Sequence, residues 1–318
     1  MEKLIPRSAY LHIPFCRRRC YYCDFPISVL GDKTNIHQSG SIQQYVEILC
    51  QEINVTPSQN YPLQTVFFGG GTPSLLPPID LERILTTLDA HFGIESDAEI
   101  SLEMDPGTFT LEQLQSYKLL GVNRFSLGIQ VFQDDLLEKC GRFHRVKDIE
   151  QAIDLIHQVN IDNFGLDLIS GLPHQTLESW QFSLEKALEI QPKHLSCYDL
   201  VLEPVTAFGK QYKSGKFPLP HDKVAAQMYR MTQQILTNAG YEHYEISNYA
   251  KPSYQCRHNR IYWENKTYYG FGMGAASYTN YQRFTRPHTR KTYYTWVKEF
   301  KKSQRLILGS FLDEKEVL

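Results

Sequence analysis

From Ala9 to about Tyr198 the chain alternates apolar runs of strand length with longer stretches whose apolar residues recur at helical spacing. The runs Ala9–Ile13, Thr65–Phe68, Glu99–Leu102, Arg124–Gly128, Gly165–Ile169 and His194–Tyr198 are expected strands. Helices are expected near Ile42–Asn54, Leu81–Phe92, Leu111–Leu120, Asp148–Val159 and Leu177–Glu189. Strands alternating with helices imply parallel β-α units. Six strands are too few for a closed eight-stranded barrel, so an α/β fold built on an open, partial (β/α)6 barrel is expected, with ligands at the carboxyl ends of its strands. Beyond Tyr198 the alternation fades. A soft boundary near residue 205 divides 1–205, the barrel, from 206–318, an α+β extension closing one side of it. In that extension Asp222 is expected to cap a helix running to about Thr237, Asn238-Ala-Gly240 to end it, and Glu242–Tyr249 to form a strand.

Composition narrows the class. The 318 residues are 42% hydrophobic and 21% charged, enough for a substantial core, and a net charge of −2 gives no electrostatic reason to expect nucleic acid. No apolar run is long enough to span a bilayer, and Met1–Ser8 does not read as a secretory signal. Seven cysteines, three of them clustered and Cys50, Cys140, Cys197 and Cys256 scattered, do not resemble a disulfide framework, so a reducing, cytoplasmic setting is expected and the scattered thiols are expected to be buried.

The clustered thiols, Cys16, Cys20 and Cys23, stand on the loop after the first strand, at spacings that let them converge on one soft metal centre. Two readings follow from the spacing. A 4Fe-4S cluster held by three cysteines leaves one iron open to a small chelating molecule. A zinc ion would need a distant His or Cys to complete its four ligands.

The pattern Cys-x3-Cys-x2-Cys, in the setting Tyr10-Leu-His-Ile-Pro-Phe-Cys16-Arg-Arg-Arg-Cys20-Tyr-Tyr22-Cys23-Asp-Phe25, resembles the signature of the radical S-adenosylmethionine (SAM) enzymes, and within them the branch of oxygen-independent coproporphyrinogen III oxidases and HemW-like heme chaperones. The resemblance runs from Tyr10 to about Tyr278. It implies a partial (β/α)6 radical-SAM barrel, a cluster ligated by Cys16, Cys20 and Cys23, and SAM on the open iron.

Further motifs extend the resemblance in order. The strand Thr65-Val-Phe-Phe runs into Gly69-Gly70-Gly71-Thr72-Pro73, which alone marks only a tight turn; its likeness to the family's GGGTP implies that Gly70, Gly71 and Thr72 contact the methionine part of SAM. Glu103, ending the third strand, is either a solvated loop carboxylate or a partner for an ammonium or ribose hydroxyl, and the family pattern implies the second. Gln130 ends the fourth strand, and Arg142 follows in Gly141-Arg142-Phe-His144 on what is expected to be the next helical segment. Ordinarily a surface Arg, it is implied together with Gln130 as a SAM contact. Asp167 sits inside the apolar Phe164-Gly-Leu-Asp167-Leu-Ile-Ser-Gly-Leu-Pro173, costly without a partner; a structural hydrogen bond would suffice, and the family pattern implies a ribose diol. Tyr10 and Tyr22 complete the implied SAM set.

Two features separate the branches. The oxidases carry a further Cys just after the third ligand, where this chain has Asp24 and Phe25. Cys256-Arg-His258-Asn259-Arg-Ile-Tyr262-Trp263 resembles the HNxxYW motif that HemW-like proteins associate with heme. Imidazole is a good axial iron ligand and Tyr262 and Trp263 offer stacking faces, although a His beside aromatics more often simply packs. The reading is therefore a heme chaperone that binds heme, a 4Fe-4S cluster and SAM and passes heme to an acceptor protein, with His258 the candidate heme contact. Peripheral membrane contact through that acceptor is left open. The alternative is an oxygen-independent coproporphyrinogen III oxidase, which would oxidatively decarboxylate propionates; a structural zinc protein leaves the ordered motifs unaccounted for. Phe311–Leu318 resembles the start of an amphipathic helix with its apolar side still uncovered, and HemW-like proteins usually continue into a small helical domain, so a truncated chain is expected.

Overall fold

The computed structural model describes residues 5–31 and 40–313, with side chains through 303. β1 (Ser8–Ile13) leads through β2 (Phe15–Cys16) into the cysteine loop, which returns as β3 (Ser28–Val29). β2 and β3 pair in parallel, Phe15 with Ser28 and Cys16 with Val29, so the loop between them is pinched at its base. Five β-α units follow: α1 (Ser41–Val55), β4 (Leu63–Gly70), α2 (Pro78–Phe92), β5 (Ile94–Met104), α3 (Leu111–Leu119), β6 (Arg124–Gln130), α4 (Asp134–Lys139), α5 (Val146–Gln158), β7 (Phe164–Ser170), α6 (Leu177–Ile190) and β8 (His194–Asp199). The remainder comprises α7 (Ala207–Gln211), α8 (Asp222–Asn238), β9 (Glu242–His243), β10 (Asn248–Ala250), α9 (Arg257–Trp263), β11 (Tyr269–Phe271), the hairpin β12 (Ala276–Thr279) and β13 (Gln282–Thr285), and α10 (Arg290–Asp313).

The six expected strands pair in parallel in the order β1-β4-β5-β6-β7-β8. Together with the matching helices this is the partial α/β barrel expected from the pattern. The residues after 205 add to both edges of the same sheet: β11 lies parallel to β1, and the antiparallel pair β10-β9 lies against β8.

The strands alternate, and the alternation decides what the barrel is for. Ala9, Leu11, Ile13, Val66, Phe68, Leu102, Leu127, Leu166 and Leu195 are fully buried against the helices, each large side chain contributing about 1.5–3 kcal/mol. The alternate positions, facing inward, are Tyr10, Phe67, Ser101, Glu103, Arg124, Ser126, Asp167, His194, Ser196 and Tyr198, and they line a single cavity. A barrel packed as a core fills such positions with branched apolar residues. This one, Phe67 apart, keeps them polar.

Three local expectations are corrected. His221, not Asp222, is the N-cap of α8: its ring accepts from Lys223 N at 3.3 Å and Asp222 begins the helix. Glu242–Tyr249 is not one strand, because the chain reverses between β9 and β10 and pairs them. Arg142 lies in the turn between α4 and α5, held by its N–H bonding Leu137 O, rather than on a helix. The expectation for residues 311–318 falls on residues whose side chains lie outside the described ones.

The extension is locked to the barrel by a buried charge. Glu52 of α1, with no exposed surface, accepts from Arg286 Nε at 2.7 Å, from Tyr293 OH at 2.6 Å and from Gly272 N at 2.9 Å. A buried ion pair satisfied on all sides holds one geometry, and removing one member strands the other.

Candidate functional site

The glycine turn forms where the carboxyl end of β4 crosses under the cysteine loop. A Cβ on Gly71 would stand 2.7 Å from Phe15 O and 2.8 Å from Ile13 O, so only glycine lets these backbones meet, and Gly71 N and Thr72 N donate to those two carbonyls at 2.8 Å. Gly70 has a φ of 110°, which turns its N–H onto Glu103 Oε2 at 3.0 Å.

The residues expected to meet SAM fall into two adjoining groups. Tyr10, Gly70, Glu103 and Asp167 line the interior cavity of about 200 Å³, together with Phe25, Phe67, Ser101, Ser126, Ser196 and Tyr198. Thr72 and Arg142 line a smaller hollow with Cys16 and Cys20. Tyr22 packs beside Phe208, and its hydroxyl is pushed well above the usual range by burial and then by Cys20. Gln130 closes β6 at a φ of 70°, just after the register shift opposite β7.

Asp105 joins the two groups. It forms an ion pair with Arg142 and accepts from Thr72 Oγ1 at 3.0 Å. Those same partners reach sulfur: Thr72 Oγ1 is 3.6 Å from Cys16 Sγ, and Arg142 NH1 is 3.5 Å from Cys20 Sγ. His144 steadies the guanidinium, its Nε2–H donating to Ile129 O at 3.2 Å so that Nδ1 accepts from Arg142 NH2 at 3.4 Å. Asp105 was missed as a site residue, although its position two residues after Glu103 on an alternating strand end was a usable signal.

The donor set fits a cluster. Burial pushes the Cys16 thiol up to about 12 and raises Cys23 as well. Loading a metal centre removes those protons, and hydrogen bonds from Thr72 and Arg142 favour thiolate over thiol. Among the described residues no three His, Cys, Asp or Glu side chains are gathered about a single ion position. The arginines of the loop splint it: Arg19 donates to Cys23 O at 3.1 Å and Phe25 O at 3.2 Å, while Arg17 and Arg18 lie over the Phe143 ring. Cys50, Cys140, Cys197 and Cys256 are buried, as expected.

The cavity is electrostatically suited to a cation. Burial, and then the nearby Asp167, push Glu103 up to about 8; burial also raises Asp167. A bound positive charge relieves both carboxyls. Tyr10 is oriented from behind: His12 Nε2–H donates to Pro26 O at 2.9 Å, which leaves Nδ1 to accept the Tyr10 hydroxyl at 3.0 Å. Burial lowers His12 to about 4, so this imidazole is neutral.

The HNxxYW segment forms α9 and closes the opposite end of the barrel, where the strands begin. Glu99, near the middle of β5, accepts from Arg257 N at 3.0 Å and His258 N at 2.9 Å, fixing the first turn of α9. His258 has no exposed surface and lines the same cavity from below. Its Nδ1 meets Thr65 Oγ1 at 2.7 Å, its Nε2 meets Tyr262 OH at 2.9 Å, and burial lowers it to about 3. Phe67 lies between the ends: its ring stacks with His258 at 5.2 Å and with Tyr10 at 6.2 Å. Tyr262 and Trp263 are 41% and 56% exposed, so α9 shows aromatic surface to solvent while its histidine faces inward.

No described helix is long and apolar enough to cross a membrane. Residues 10–187 match the radical SAM superfamily. Heme chaperone HemW of Synechocystis sp. is 57% identical over 297 residues, covering 93% of this chain and 72% of the relative, and HemW of Bacillus subtilis is 39% identical over 275 residues, covering 86% and 71%. Among solved structures, the radical SAM enzyme coproporphyrinogen III oxidase (HemN) of Escherichia coli superposes with a TM-score of 0.79 at 26% identity, covering 94% of this chain and 70% of that one. With the cysteine loop, the glycine turn beneath it and α9 all in place, the chain belongs to the radical SAM superfamily and, within it, to the HemW heme chaperone family.

Proposed function

We propose that this protein is a heme chaperone: it binds heme at the α9 surface, holds a 4Fe-4S cluster on Cys16, Cys20 and Cys23 with SAM in the barrel cavity, and passes heme to an acceptor protein. The observation that carries the heme part is α9 itself, which presents Tyr262 and Trp263 outward with His258 directly behind them. The cluster, when bound, supplies an iron with an open position for a chelating ligand. Around it, Thr72 and Arg142 donate to the thiolates, Gly70, Gly71 and Thr72 offer backbone to the methionine part of SAM, and Tyr10, Glu103 and Asp167 line the space for its cationic and ribose parts. Gln130 and Tyr22 stand at the edge of this set.

Of the two His258 nitrogens, Nε2 is the one that heme iron can reach. Thr65 on Nδ1 is buried in β4, whereas Tyr262 on Nε2 belongs to the half-exposed face of α9. The membrane enters this reading only through the acceptor.

The deciding experiment is anaerobic: cluster-reconstituted protein with SAM, a reductant and coproporphyrinogen III, read by mass spectrometry, alongside a heme titration of the wild type and His258→Ala. Heme binding that His258→Ala weakens, with no decarboxylated product while an active oxidase gives one, supports the chaperone. Substrate-dependent 5′-deoxyadenosine and decarboxylated product make the protein an oxidase, the alternative that the likeness to HemN keeps in view.

A further inference from the structure

We propose that Ser126 and Ser196 are positioning residues: standing on the two strands that flank β7, they donate their hydroxyls to Asp167 and hold its carboxylate with an accepting edge toward the barrel cavity. The inference rests on the reading that SAM occupies that cavity.

Ser126 Oγ lies 3.0 Å from Asp167 Oδ1 and 2.9 Å from Oδ2, so one hydroxyl spans the carboxylate from the β6 side. Ser196 is the register partner of Asp167 on β8, so its hydroxyl faces the cavity beside the carboxylate from the other side, where it lowers the Asp167 pKa. A carboxylate has about four lone-pair sites, so two hydroxyl donors fix its plane and leave capacity for a ligand's hydroxyls. The serines are not explained as packing. Both face inward at positions where a filled barrel carries branched apolar side chains, and both line the cavity with Ser101, whose buried hydroxyl has no partner. The charged and titratable neighbours that act on this group are Arg124 from β6, Glu103 from β5 and Asp105 just after it, and Cys197 and Tyr198 from β8. Arg124 acts on Asp167 through space while its NH1 donates to Tyr254 O at 3.0 Å, so the direct hydrogen bonds to the carboxylate come from Ser126. Burial raises Asp167, and the two hydroxyls pull it back toward ionisation.

A carboxylate held in this way accepts hydrogen bonds from a vicinal diol. When the serines lose their hydroxyls the carboxyl gains a proton more readily and its rotation is freed, and both effects weaken binding at neutral pH.

The test is the anaerobic dissociation constant of SAM on cluster-reconstituted protein between about pH 5.5 and 8.5, for wild type, Ser126→Ala, Ser196→Ala, the double variant, Ser196→Thr and Asp167→Asn, with circular dichroism confirming the fold of each. Each Ala variant is expected to bind SAM about three- to tenfold more weakly near neutrality, to move the pH of half-maximal affinity upward, and to lose less at higher pH. Ser196→Thr, which keeps a hydroxyl, should restore the wild-type profile. If Asp167→Asn weakens SAM while both Ala variants keep the wild-type profile, the serines only fill space and the inference is overturned. If Asp167→Asn itself leaves SAM affinity unchanged, what fails is the assignment of Asp167 to SAM.

Discussion

His258 stacks on Phe67 at a centroid separation of 5.2 Å from within the barrel, on the side away from the cysteine loop. The segment associated with heme and the residues implied for SAM therefore line one cavity, at its two ends.

The hydrogen bond from Tyr262 to His258 competes with any metal for Nε2. Tyr262→Phe keeps the aromatic face and removes the hydroxyl, so heme should bind this variant about two- to tenfold more tightly, read by Soret titration. A weaker or unchanged affinity would show that Nε2 is not the coordinating atom.

Glu99 fixes the first turn of α9 through two backbone N–H groups. Glu99→Gln, which keeps the shape and loses the charge, is expected to cost about 1–2 kcal/mol. The loss should appear as faster hydrogen exchange in residues 257–263, with β5 unchanged. Uniform acceleration throughout the chain would instead mean a global loss of stability.

Glu103 makes stability depend on pH in a definite direction. Burial holds its folded value at about 8, above the 4.5 of an ordinary glutamate, so the proton it keeps in the folded state favours folding at low pH. As pH rises from about 4.5 through 8 the unfolded chain gives up that proton first, and SAM-free protein loses on the order of 5 kcal/mol before the effect levels off. Glu103→Gln should flatten this slope in urea melts and weaken SAM binding. A wild-type stability that climbs across the same window contradicts the assignment.

The ion pair of Arg286 with Glu52 is buried on both sides and ties the extension to α1. Glu52→Gln leaves Arg286 without its counter-charge and should cost about 3–5 kcal/mol, a fall of several degrees in Tm by calorimetry. A change within error would mean that water or another carboxylate replaces Glu52.

Loss of a cluster ligand is expected to spare the fold. Cys20→Ala, on a loop anchored by the β2-β3 pair, should abolish iron and sulfide incorporation while circular dichroism stays at the wild-type level. Retained iron and sulfide would remove Cys20 from the ligand set.

Much of this protein was written in local pattern. Apolar runs of strand length, alternating with stretches whose apolar residues recur at helical spacing, located the six parallel strands and the helices between them, because burial against a sheet leaves the same trace wherever it occurs. The cysteine spacing and the glycine turn were legible for a related reason, since each is confined to one stretch of chain. Alternation alone did not say which face of each strand was the interior. That Ser126 and Ser196 flank Asp167, that Asp105 pairs with Arg142 and that His258 points into the cavity rather than outward all depend on register between strands and on turns far apart in sequence. The order of residues determined the elements and the chemistry each carries; the curl of the open sheet, a balance of long-range packing that no single segment encodes, decided which of those groups share one cavity and which end of it each faces.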